Sequence, residues 1–141
     1  MKTNNNELVE MVFAVSRLMK GEMSYTNNLT HLSVLQIQTL FYLNRHEKTS
    51  MSDLAGYFHT ELPSVTSLIN KLCIKKLVVR REDSEDRRLV MVTLTSEGKK
   101  LLEDAMKSRR DKFEKLLSYL SEKEQGDLLQ IFTTLRDKLQ K

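Results

Sequence analysis

Residues 60–95 read TELPSVTSLINKLCIKKLVVRREDSEDRRLVMVTLT. Within them Val65, Leu68, Ile69 and Leu72 recur at spacings of three and four, the apolar stripe of one helix face. Pro63 stands where a first turn tolerates it, because the N–H it lacks has no partner inside a helix. The stretch therefore predicts a helix from Leu62 to Lys75, followed by the apolar segment Leu77-Val78-Val79. Arg80 to Arg88 are all charged but for Ser84. From Leu89 to Thr95, Val90, Val92 and Leu94 alternate with Met91, Thr93 and Thr95, the period of a strand. Helix, strand, charged loop and strand, in that order, predict a winged helix.

Upstream, Ser50-Met-Ser-Asp53 predicts a short helix through Leu54, Ala55 and Phe58, and His59 to Leu62 a tight turn. With the helix after it, this makes a helix-turn-helix. Ser33-Val-Leu-Gln36 has the capping-box pattern of a helix start. Leu35, Leu40, Phe41 and Leu43 line one side of that helix, which ends near Asn44, and Arg45 to Thr49 read as a charged connection. Leu8, Met11, Val12, Val15, Leu18 and Met19 form one face of a first helix, from about Glu7 to Met23. Tyr25 to Thr30 read as a loop.

Downstream, Thr95 caps a long helix that carries Leu101, Leu102, Ala105 and Met106. Lys107 to Lys112 contain no apolar residue, and apolar positions return at Phe113, Leu116, Leu117 and Leu120. Such a helix crosses a gap between two packing environments. Ser121-Glu-Lys-Glu124 starts a last helix with Leu128, Leu129, Ile131, Phe132, Leu135 and Leu139. The expected fold is mostly α with a small β-wing. Residues 1–31 form an N-terminal dimerisation helix and loop, 32–95 a winged helix-turn-helix lobe, and 96–141 linking and dimerisation helices. The chain ends carry more apolar surface than a winged-helix core needs, and a homodimer interface is its natural use.

Composition narrows the classes. The 141 residues suit one compact domain, with 40% hydrophobic and 30% charged residues. One proline and four glycines leave little room for turn-rich β structure. The net charge of +4 permits a nucleic-acid partner without requiring one. No stretch of about 18 apolar residues occurs, so no membrane span is expected. Cys73 is the only cysteine. No internal disulfide can form, which fits a reducing cytoplasm. No phosphate loop, nucleophile elbow or metal-ligand spacing appears, His31, His46 and His59 included, so no enzyme, metal or cofactor is expected. Cys73, beside the buried stripe, reads as a core residue before it reads as a thiol switch.

The run Asp83-Ser-Glu-Asp86-Arg87-Arg88, then Val90, Val92, Leu94-Thr95 and Gly98, resembles the wing signature of the MarR family of bacterial transcription regulators. The flow from Leu62 through Ser64-Val65-Thr66 to Leu72, Leu77-Val78 and Arg80 is similar to the same family. The resemblance spans nearly the whole chain. One departure stands out. The family usually has glycine just before the Leu-Val that starts the wing, and here that residue is Lys76. Either Lys76 takes a positive φ or the helix ends differently.

The resemblance implies a homodimeric regulator, most often a repressor, on a pseudo-palindromic double-stranded site. The helix from Leu62 to Lys75 would enter the major groove and the wing, Arg80 to Arg88, the minor groove. Between Leu62 and Arg81 there is no acidic residue. Ser64, Thr66 and Ser67 would meet bases or phosphates, a methyl of Val65 or Thr66 would meet thymine, and Asn70 would read adenine. Lys71 would neutralise phosphate. In the wing, Arg80, Arg81, Arg87 and Arg88 balance Glu82, Asp83, Glu85 and Asp86, so it is neutral. Asp83 and Asp86 are expected to position arginines; Arg88, then Arg87, then Arg80 are the candidates for the groove. Met11, Met19, Phe41 and Met106 are candidates for a pocket that takes a small aromatic ligand. The alternative function is a winged-helix module that binds protein and not specific DNA. A continuous positive strip across helix and wing would favour DNA.

Overall fold

The computed structural model describes residues 4–22, 29 and 31–140. In chain order its elements are α1 (Asn5–Glu22), α2 (Val34–Arg45), β1 (Thr49–Ser50), α3 (Met51–Tyr57), α4 (Leu62–Ile74), β2 (Val78–Glu82), β3 (Val90–Leu94), α5 (Ser96–Leu117) and α6 (Glu122–Leu139). The chain forms two compact units: Tyr25–Met106, and Met1–Ser24 with Lys107–Lys141. The division falls at the start of the apolar gap in α5. The first turns of that helix belong with the winged unit, because Leu102 and Ala105 are buried in its core. The mostly helical fold with a small sheet is the one the sequence predicts.

In the winged unit three capping groups set the helix starts. Ser33 Oγ accepts from the Gln36 N–H at 3.2 Å while Gln36 Oε1 accepts from the Ser33 N–H at 3.0 Å. Ser50 and Asp53 exchange the same pair at 3.0 and 2.8 Å. Thr95 Oγ1 accepts from the Gly98 N–H at 3.0 Å. Each cap satisfies donors that a helix cannot, worth about 1 kcal/mol. The core joins Ile37, Leu40 and Leu43 of α2, Leu54 of α3, the α4 stripe, Leu77, Val78, Val92 and Leu102. Leu35 is a correction: it is exposed, and Gln36, Ile37 and Thr39 take the inner face instead. Thr39 is tolerated there because its hydroxyl donates to the Leu35 carbonyl at 2.7 Å.

The sheet has the order β1-β3-β2 and is antiparallel throughout. Val92 sits at its centre, opposite Thr49 on one side and Arg80 on the other. The segment expected to be a charged connection therefore ends in a strand, Thr49–Ser50, that the sequence reading missed. Two residues are too few to show a period of two. The Thr49 hydroxyl donates to the His46 carbonyl at 2.8 Å and turns the chain into the sheet.

The other unit holds α1, the end of α5, and α6, which Ser121 and Glu124 cap. Met23 and most of the expected loop at residues 25–30 lie outside the described residues. In α1 the predicted apolar face is solvent-facing in the single chain, with Leu18 72% exposed. No residue of α6 is buried, and Leu129 is 70% exposed.

Candidate nucleic-acid interface

Helix α4 is pinned by one face and presents the other. Val65, Leu68, Ile69 and Leu72 are buried. Ser64, Thr66, Ser67, Asn70 and Lys71 are exposed, and no carboxylate stands among them. Val65 corrects the sequence expectation. At 1% exposure its methyls belong to the core and cannot meet a base. The same spacing that made it part of the stripe turns it away from solvent. The Thr66 hydroxyl donates to the Leu62 carbonyl at 3.0 Å, which leaves its oxygen lone pairs and methyl facing out.

The wing is short-stranded and its tip is organised by one carboxylate. Asp86 Oδ1 accepts from the Arg88 N–H at 3.0 Å and from Arg88 Nε at 3.1 Å, and Asp86 Oδ2 accepts from Arg88 Nη2 at 3.3 Å. These bonds, side-chain first, hold the Asp86 carboxyl below its ordinary pKa. A guanidinium so gripped by both carboxylate oxygens is fixed in plane. The Arg88 side chain is nevertheless 90% exposed, so its outer edge remains free to meet a partner. Asp83 does not act as expected. Among the described residues its carboxylate has no ion pair with a wing arginine; its N–H donates to the Leu89 carbonyl at 3.0 Å and closes the loop through the main chain. Arg87 is exposed.

Arg80 also departs from expectation. Its Nη2 donates to Asn70 Oδ1 and, at 3.4 Å, to the Thr66 carbonyl. Its Nε is buried without a hydrogen-bond partner among the described residues. Leaving such a donor unpaired costs about 1–3 kcal/mol, so the contacts to α4 hold the guanidinium inward against that cost. Arg80 thus fastens β2 to α4 and does not project from the wing. Thr66, Arg80, Arg88, Leu62, Leu89 and Ser50 are among the residues lining a cleft of about 320 Å³ between helix and wing.

The corner from α4 to β2 resolves the departure at Lys76. Lys76 takes φ 59°. The Leu77 N–H donates to the Leu72 carbonyl at 3.0 Å and the Lys76 N–H to the Cys73 carbonyl at 2.9 Å. This is a Schellman ending with a lysine in the left-handed position. Thr95 locks it: its hydroxyl donates to the Lys76 carbonyl at 2.6 Å, and its N–H to the Leu77 carbonyl at 3.0 Å. Gly98 packs so close that a Cβ there would stand 2.2 Å from the Leu77 oxygen. The Leu-Thr-x-x-Gly pattern is the covalent record of this approach.

The ligand candidates are not gathered within one unit. Met11 and Met19 belong to one, Phe41 and Met106 to the other. Phe41 packs against the winged core, and Met11 and Met106 are exposed. Cys73 is half-buried against that core. Among the described residues no three His, Cys, Asp or Glu side chains gather as a metal ion would need, and no helix is long and apolar enough to cross a membrane.

Comparison with known proteins gives these features a context. The sequence model of the MarR family matches residues 30–89, from before α2 to the end of the wing loop. The chain is 26% identical over 110 residues to the HTH-type transcriptional regulator YdgJ of Bacillus subtilis, covering 78% of this chain and 67% of that protein. It is 29% identical over 89 residues to the B. subtilis transcriptional repressor MdtR, covering 63% of this chain and 57% of that one. The match thus spans little more than half of that repressor. A point mutant of MepR from Staphylococcus aureus superposes with TM-score 0.78 at 27% identity, covering 93% of this chain and 97% of that one. Solved structures include a MepR point mutant bound to an oligodeoxyribonucleotide and MepR bound to ethidium bromide. The helix-turn-helix, the Asp86–Arg88 wing and these likenesses agree: residues 30–89 match the MarR family, and the chain has the winged-helix fold of the transcription regulators it resembles.

Proposed function

We propose that the protein is a homodimeric, sequence-specific double-stranded DNA-binding repressor. One observation carries the reading. The exposed face of α4 offers Ser64, Thr66, Ser67, Asn70 and Lys71 without a carboxylate, beside a wing whose Arg88 is fixed in plane yet 90% exposed. Such a face suits base edges and phosphates, and such an arginine suits a narrow minor groove. A MepR point mutant bound to an oligodeoxyribonucleotide supports the partner, and the repressor MdtR supports the direction of control.

The exposed apolar faces of α1 and α6 support dimerisation. A single chain that leaves Leu8, Met11, Val12 and Leu18, and Leu129, Ile131 and Phe132, in water lacks a partner for them. A twofold dimer would place two α4 helices on a pseudo-palindrome with half-sites about one helical turn apart. Control by a small ligand is supported by MepR bound to ethidium bromide. Such a ligand acts only if it binds the DNA-competent arrangement with a different affinity from the other.

The test is selection of binding sites from random duplex DNA. Enrichment of an inverted repeat supports the reading. Recovery of unselected sequence overturns it and favours a protein-binding module, for which the modest net charge of +4 and the neutral wing are the supporting features.

A further inference from the structure

Asn70 is exposed on α4, but its amide is not free to turn. Its Oδ1 accepts from Arg80 Nη2, and the same nitrogen donates to the Thr66 carbonyl at 3.4 Å. A guanidinium has donors only, so the amide must keep its oxygen toward Arg80. The reverse orientation would set NH2 against NH2. For an unrestrained asparagine the two orientations exchange. Here the NH2 group is what remains for an outside partner.

That restriction has a chemical meaning in a major groove. Reading adenine with two bonds requires the amide oxygen to accept from N6–H while the NH2 donates to N7. The first of these bonds would share an oxygen that already accepts from a cationic donor, and an acceptor so engaged is a weaker partner for N6–H. Guanine instead presents two acceptors, N7 and O6, and no donor on that edge. A side chain whose NH2 is free and whose oxygen is already engaged therefore suits guanine better than adenine. Resting on the reading of α4 as the base-reading helix, we infer that Arg80 is a positioning residue: by holding Asn70 Oδ1 it fixes the amide's orientation, leaves its NH2 as the free end and weakens its oxygen as an acceptor, so that Asn70 selects guanine over adenine at one position of each half-site. This replaces the expectation, drawn from residue type alone, that Asn70 reads adenine. It also gives Arg80 a role from inside the protein, where the sequence placed it among the arginines that touch DNA.

The test compares sites selected from random duplex DNA by the wild-type protein and by Asn70→Ala and Arg80→Met, with thermal unfolding of each variant as the folding control. Asn70→Ala removes an exposed side chain and identifies the position that Asn70 reads. Guanine should be preferred there in the wild type, and Asn70→Ala should erase that preference by about fivefold or more, the low end of a direct base contact. Arg80→Met keeps an apolar stem and frees the amide. Adenine should then gain against guanine at that position alone. A merely structural or phosphate-contacting arginine would weaken every sequence equally and leave the preference unchanged, and that result overturns the inference. So does a wild-type preference for adenine at the Asn70 position, or an Asn70→Ala profile identical to the wild type; either leaves the DNA-binding reading standing. Should Arg80→Met fail to fold, Asn70→Asp is read instead. It keeps an acceptor toward Arg80 but offers no outward donor, so guanine preference must be lost there, and its persistence overturns the inference. Failure of the wild type to enrich any sequence sinks the underlying reading and this one together.

Discussion

Arg88 is the residue on which the wing's contribution rests. Asp86 holds its guanidinium through both carboxylate oxygens, and the rest of the side chain lies in solvent. An arginine already oriented loses less freedom when it enters a groove. Arg88→Ala should therefore weaken operator binding at least about tenfold, roughly the 1.4 kcal/mol of one placed contact. Helicity and dimer mass should not change; a gel-shift titration reads the affinity, circular dichroism the helicity and light scattering the mass. The grip depends on Asp86 being ionised. Its pKa is depressed from the ordinary 3.8, first by the Arg88 side-chain bond and then by the Arg88 N–H. A depressed carboxyl stabilises the folded form fully above its unfolded pKa and loses that contribution as pH falls through the folded one. The ordered wing tip should therefore persist through neutral and mildly acid solution and loosen only below 3.8. Loosening of the Arg88 amide signal near pH 6 in an NMR titration would contradict this. Lys71, by contrast, is expected to act on phosphate. Lys71→Ala should reduce the salt slope of binding by about one, leaving base preference alone.

At the scale of elements, the corner between α4 and β2 is where the chain departs from ideal chemistry. Lys76 sits at φ 59°, a conformation costing a non-glycine residue about 1–2 kcal/mol. Glycine there would relieve that strain but add about 0.5–1 kcal/mol of unfolded-state entropy. Lys76→Gly should thus stabilise modestly, raising the melting temperature by a few degrees, which calorimetry would show. Gly98→Ala is the opposite case. Alanine's better helix propensity offers about 1 kcal/mol. A Cβ 2.2 Å from a backbone oxygen that already accepts the Thr95 N–H cannot be absorbed cheaply. Net destabilisation of about 1–3 kcal/mol is expected. These elements also show what a sequence discloses. The capping hydroxyls at Ser33, Ser50 and Ser121 and the α4 stripe are local signals, and the structure places them as expected. Strand β1 carries no periodicity of its own; it exists because β3 needs an edge partner. The inward turn of Arg80 depends on residues 10 and 14 positions away, Asn70 and Thr66. No reading of spacing within the wing contains that information. Val65 fails in the other direction: residue type admits a thymine contact, while geometry gives every side chain of the buried stripe to the core.

For the whole molecule, the winged unit has a core of its own, and among the described residues of the other unit none is buried in the single chain. Within the unit that holds them, α1 and α6 expose leucine, methionine and phenylalanine faces. Helices in proteins draw most of their stability from packing such a face, and these two have 18 residues each to cover. Light scattering at micromolar concentration should give the mass of a dimer, and a monomeric mass would remove the proposed interface. Phe132→Glu, which puts a charge on that face, should shift the protein toward monomer and weaken operator binding, because each monomer then holds only one half-site. The central claim, that α4 and the wing read DNA sequence, is tested most directly by one comparison. The selected duplex and a shuffled duplex of equal length are titrated against the protein by fluorescence anisotropy at about 150 mM salt. Specific winged-helix recognition should bind the selected duplex about a thousandfold or more tightly. Equal affinity for the two duplexes would contradict the account.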